Sequence, residues 1–158
     1  MRGLAVFSMM LLAAPMARPA DTDSTESVVK AVYAVISGLA GTRDWARFNA
    51  LFAQGARLIV MRADGPSVMT PEEYGKRAGA TFEKTAFYEN ELARKSEGFG
   101  GIAHVFSTYE SRRGPGEKPF ARGINSFQLV KEGSAWKVIT VLWDTEKEGT
   151  PIPERYLR

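Results

Sequence analysis

The chain has 158 residues, 44% of them hydrophobic and 25% charged, with no cysteine and a single histidine. That is the size of one domain able to bury its own core. The lack of cysteine excludes disulfides, thiolate catalysis, cysteine metal sites and the lipid anchor of a lipoprotein, and a formal net charge of +3 is too small to imply a nucleic-acid partner.

In chain order, residues 1–20 read as an export signal. Arg2 precedes an apolar stretch, LAVFSMMLLAAPMA, that is too short to span a bilayer, and small residues lead into a polar DTDSTES. The mature domain is expected from near Asp21, in the periplasm or outside the cell. Cleavage after Ala20 puts Arg18 at the third position back, where a small residue is preferred, so Ala14 and Ala17 stay open as alternatives. Loss of Arg2 and Arg18 leaves 19 basic against 18 acidic residues, a net charge of +1.

Asp23 and Glu26 have the spacing of a capping box, and Val28, Val32, Val35, Ile36 and Leu39 follow at helical intervals, predicting a helix that ends near Gly38 or Gly41. Thr42 is placed to cap a short second helix with Trp45, Phe48, Leu51 and Phe52 on one side. Residues 56–62, ARLIVMR, form an apolar run suited to a strand, followed by the turn chemistry of Asp64-Gly65-Pro66. In VMTPEEY, Thr70, Pro71 and Glu73 mark a third helix start.

Four strand-like runs fill the second half, beginning at residues 86, 101, 119 and 134. Short glycine-bearing segments separate them, so neighbours should pair as antiparallel hairpins. In the last run both parities are apolar, Trp136, Val138 and Leu142 on one and Ile139, Val141 and Trp143 on the other. A strand covered on both faces implies a second subunit on the outer face, and a homodimer is expected. The tail, residues 146–158, contains two prolines that exclude regular structure, with Ile152, Tyr156 and Leu157 able to lie against the body.

This order of elements, with VYAVISGLAGTRDWARFNALFAQGARLIV and GSAWKVITVLW, resembles the nuclear transport factor 2-like (SnoaL-like) superfamily over roughly residues 24–145. The resemblance implies an α+β domain, residues 21–145 with its start at the mature end, in which a curved antiparallel meander wraps as a cone around N-terminal helices and encloses a cavity. The superfamily includes polyketide cyclases, ketosteroid isomerases, scytalone dehydratase, limonene epoxide hydrolase and binding or accessory domains. Comparison with ketosteroid isomerase places its tyrosine at Tyr33 and its oxyanion acid at Asn125, whose amide can still donate a hydrogen bond. Its base position falls on Val60, which carries no proton. With Asn125 facing inward, Gly123, Phe127 and Leu129 face inward too, and on the preceding strand the inward set is expected to be His104, Phe106, Thr108 and Glu110.

Each candidate has a chemical and a structural reading. His104 is a general base or acid, or a partly buried histidine satisfied by a neighbour. Glu89 and Glu91 share a strand face at about 7 Å; in an apolar cavity one of them gains a raised pKa, and on a solvent face they pair with Arg94 or Lys95. Arg122 is expected to pair across strands with Glu110, or to grip an acidic ligand at the cavity mouth. Tyr33 is an oxyanion donor or a core tyrosine.

The function expected is an exported pocket for a small, mostly apolar molecule, lined by Tyr33, His104, Phe106, Arg122, Asn125 and Phe127. The alternatives are an isomerase, dehydratase or cyclase with His104 or Glu89 as base and Tyr33 and Asn125 polarising a carbonyl, or an accessory subunit. No cofactor, metal, nucleic acid or membrane span in the mature form is expected.

Overall fold

A computed structural model describes residues 19–158, so the expected export signal lies almost wholly outside the described residues. A short turn of helix, α1 (Pro19–Thr22), leads into α2 (Thr25–Ile36). The α2 cap is Ser24 and not Asp23, because the Ser24 hydroxyl accepts the Ser27 N–H at 3.0 Å. One face of α2, including Val28, Val32, Val35 and Ile36, is buried, whereas Leu39 lies beyond the helix end and is 73% exposed.

Between α2 and α3 (Trp45–Ala50) the chain turns around one buried guanidinium. Arg43 donates to the carbonyls of Ile36, Gly38, Leu39 and Gly41 at 2.8–3.0 Å, which satisfies acceptors that a helix end leaves open. This wrapped loop carries the expected Thr42 cap two residues too early; Asp44 caps α3, accepting the Arg47 N–H.

Strand β1 (Phe52–Arg62) turns at Asp64-Gly65 into β2 (Gly65–Met69), a hairpin strand that a Pro-containing run had concealed. Helix α4 (Pro71–Phe82) starts with the full capping box of Thr70 and Glu73. Its Gly75 and Gly79 leave a groove for Trp45: a Cβ at either would stand 3.2 Å from the indole.

Strands β3 (Tyr88–Phe99), β4 (Ile102–Arg112), β5 (Ala121–Glu132) and β6 (Ala135–Thr145) form the meander. The six-stranded sheet has the order β2-β1-β6-β5-β4-β3, antiparallel except where β1 runs parallel to β6. The sheet curls around α2, α3 and α4, and the core lies between them.

Two bulges set which side chains face that core. In β3 the pairing shifts between Glu91 and Ala93, leaving Leu92 unpaired. In β6, Val138 pairs with Leu129 and Thr140 with Gln128, so Ile139 is the extra residue. An inserted residue reverses the alternation, which puts Val138 and Val141 on the same, buried face. The doubly apolar pattern of β6 therefore arises from the bulge.

Past β6 the chain folds back over the outer face of the sheet. Ile152 N–H donates to Glu146 Oε1 at 3.0 Å, the Thr108 hydroxyl donates to the Tyr156 carbonyl, and the Tyr156 ring lies 4.9 Å from that of Phe106.

Candidate functional site

The register of β4 against β5 decides which side chains enter the cone. Asn125 pairs with Ser107, Gly123 with Tyr109 and Phe127 with Val105. Directly opposed residues share a face, so Ser107, Tyr109 and Ser111 point inward and are buried. The expected inward set of His104, Phe106, Thr108 and Glu110 faces outward, one residue out of register. His104 Nε2 lies 3.2 Å from Ser126 Oγ on the outer face, and its ring packs on Phe106. Neither lines the cone. Arg122 and Glu110 oppose each other in register, but Arg122 pairs with Glu146 and Glu110 with Arg112, so Arg122 also lies away from the cavity.

Three other candidates meet inside. Helix α2 presents Tyr33, β5 presents Asn125, and β3, just before its bulge, presents Glu89. Asn125 Nδ2 donates to Tyr33 Oη at 3.0 Å and to Glu89 Oε1 at 3.2 Å. Ser111 Oγ donates to Glu89 Oε2 at 3.0 Å. Ser107 Oγ donates to Glu91 Oε1 at 2.6 Å, so the hydroxyl of Tyr33, 2.7 Å from Ser107 Oγ, must donate to that serine. Arg94 closes the row by pairing with Glu91.

The direction of these bonds matters. Both Asn125 amide hydrogens and the Tyr33 proton are engaged within the protein, and neither residue has a donor left for a ligand oxygen. Glu91 is neutralised by Arg94. Glu89 has no ionic partner: it accepts two neutral hydrogen bonds, and no described ion pair includes it. Burial pushes its carboxyl up to about 7, against the lowering effect of the Ser111 and Asn125 hydrogen bonds. The cause is lost hydration, not the neighbouring carboxylate. Burial, and after it the negative charge of Glu89, likewise raises the hydroxyls of Tyr33 and Tyr74, and Tyr109 is pushed up to about 12.

The cavity beside Glu89 has a volume of about 260 Å³. Seven of its fourteen lining residues are aromatic, Asn125 and Phe127 are among the rest of the wall and its aromatics, and Glu89 is the one charged group. Val60, at the expected base position, packs against the core; the carboxyl reaches the cone from the opposite end of the sheet. A second hollow of about 300 Å³ lies under the tail on the outer face, lined by residues such as Met61, Ile124, Leu142 and Pro151. Of its two acids, Glu146 is held by Arg122 and the Ile152 N–H, and Asp144 lies 3.5 Å from Lys147. Among the described residues no three acidic or imidazole groups converge as a metal site requires.

Ser107, Ser111, Tyr74 and Tyr109 were not anticipated. The alternation Ser107, Tyr109, Ser111 was visible in FSTYES, and pairing Asn125 with Ser107 would have found it. Tyr74 lines the cavity from α4 with a hydroxyl that has no hydrogen-bond partner among the described residues.

No protein-family model matches the chain, and no curated protein matches it. Solved structures do. An NTF2-like protein of unknown function from Pseudomonas putida superposes with a TM-score of 0.63 at 11% identity, over 87% of this chain and 96% of that one. A protein from Parabacteroides distasonis, provisionally named a ketosteroid isomerase, gives 0.57 at 12% identity, over 85% and 98%. An NTF2-like protein of unknown function from Shewanella baltica gives 0.52 at 14%, over 78% and 98%. The chain has the NTF2-like α+β cone fold.

Proposed function

We propose that this is an exported binding protein that takes a small, mostly apolar molecule into the cone. The observation that carries this reading is a cavity of about 260 Å³ walled by aromatic and aliphatic side chains around one carboxyl group, Glu89. A mostly apolar wall supplies affinity and a few polar groups, with Glu89 the one charged group among them, fix orientation. Native and then denaturing mass spectrometry of the purified protein tests it. A small molecule is expected in the native spectrum and released on denaturation, and it should be lost from Val141→Phe, which fills the cavity. A molecule retained by that variant at full occupancy would put the binding site elsewhere.

The burial of Glu89 in the cavity with no ionic partner among the described residues favours a second reading, a cofactor-independent isomerase, dehydratase or cyclase. A carboxyl held at about 7 exchanges a proton readily at neutral pH, as a general acid or base must. In that case Glu89 touches the substrate, while Asn125 and Tyr33 are positioning residues that orient its carboxyl through hydrogen bonds.

A further inference from the structure

We infer that the molecule bound in the cone is an organic cation, an amine or quaternary ammonium on an apolar body, with the Glu89 carboxylate as its counter-charge and the surrounding rings as its contact faces. This rests on the pocket reading above and specifies its ligand class.

Three observations converge on it. First, the cavity wall holds one acid and no Lys, Arg or His, and no ion pair among the described residues includes Glu89. A desolvated carboxylate without a cation is costly, and a ligand that brings the cation removes that cost. Second, the two donors that reach Glu89 are already spent on it. Ser111 and Asn125 donate to it, leaving the carboxylate's remaining lone pairs to a ligand, which suits a donor or a positive charge; the unpartnered Tyr74 hydroxyl on the same wall carries no charge to compete with them. Third, Phe48, Tyr74, Phe82, Phe87, Tyr109 and Trp143 all line the same cavity. Aromatic faces attract cations, and a cage of rings beside a carboxylate is a recognised way to hold an ammonium group.

The titratable groups facing Glu89 are Tyr33 of α2, Tyr74 of α4 and Tyr109 of β4, whose hydroxyls are all raised. Glu91, on its own strand, is paired with Arg94, and Asp144 of β6 acts on Tyr109. The tyrosines keep their protons near neutrality, so Glu89, with its carboxyl at about 7, governs binding there.

The test uses benzyltrimethylammonium, charged at every pH, and its uncharged carbon isostere neopentylbenzene, each followed by tryptophan fluorescence in the full chain, where Trp143 is the one of three tryptophans that lines the cavity. The cation is expected to bind about tenfold or more tighter at pH 8 than at pH 5.5, as Glu89 loses its proton. The isostere should bind more weakly and without that pH dependence. Glu89→Gln should abolish the preference for the cation while still binding the isostere, and Phe87→Leu, which keeps the charge and removes a ring, should weaken the cation more than the isostere. Equal binding of both probes, unchanged in Glu89→Gln, would overturn the cation inference and leave the apolar pocket standing. Binding of neither would overturn both.

Discussion

A carboxyl group that gives up water on folding without gaining a cation keeps its proton to higher pH, and Glu89 is such a group. Its value of about 7 stands above the 4.5 of a free glutamate. Below about pH 4.5 it is protonated in folded and unfolded chains alike. Between 4.5 and 7 only the folded chain holds the proton, so stability should fall as pH rises through that window and level off above it. The loss is at most about 3 kcal/mol. Urea midpoints of the wild type between pH 4.5 and 8 should decline relative to Glu89→Gln, which has no such proton to lose; parallel curves would mean that the Glu89 carboxyl remains hydrated. Tyr33 belongs to a different kind of group. Its hydroxyl takes a hydrogen from Asn125 and faces Ser107, so its work is to fix the Asn125 amide against Glu89.

At the scale of elements, the junction between α2 and α3 depends on a buried arginine, 9% exposed, that serves four backbone carbonyls. Lysine has the charge but neither the planar fork nor enough donors for four acceptors. Arg43→Lys is expected to cost about 2–3 kcal/mol, read as a lower thermal midpoint; an unchanged midpoint would show that water replaces the guanidinium freely. Gly123 is another such constraint. A Cβ there would lie 2.3 Å from the Asp144 carbonyl oxygen and 2.5 Å from Tyr109 Oη, so the absence of a side chain in β5 is what lets Tyr109 lie over the strand at the edge of the cavity. The bulges in β3 and β6 act at the same scale: one extra residue in each decides which side chains reach the interior.

At the scale of the molecule, the tail is a cover for the outer sheet face. Phe106 and Thr108 would otherwise be turned to water, and Tyr156 and its carbonyl occupy them. A chain ending at Glu146 is expected to keep the cone, because the tail contributes nothing to the cavity wall, but to expose an apolar face and self-associate. Size-exclusion chromatography with light scattering should give it a larger apparent mass than the same chain with its tail intact, at equal concentration. An identical mass would show that the face tolerates water or is covered in another way. A homodimer through this face, expected from the two apolar parities of β6, would have to form over the tail, since the bulge at Ile139 turns both Val138 and Val141 inward.

The sequence by itself determined the elements: the capping box at Thr70 and Glu73, the glycine-bearing turns and the β periodicity place α4 and the four meander strands within a few residues of where they lie. These signals are local, carried by side chains that bond to their own or adjacent backbone. Strand spacing marked Glu89 and the family resemblance marked Tyr33 and Asn125 as candidates, on the same footing as His104, Phe106, Arg122 and Phe127. Which of the candidates meet was decided by the tertiary structure alone. Strand pairing has a period of two, so a single residue of register exchanges His104 and Phe106 for Ser107 and Tyr109, and no local signal in GIAHVFSTYESR distinguishes the two. The state of Glu89 is likewise tertiary, because hydration is lost only when α2, α4 and β4–β6 close around the carboxyl, and the same residue at an open strand edge would be an ordinary surface glutamate.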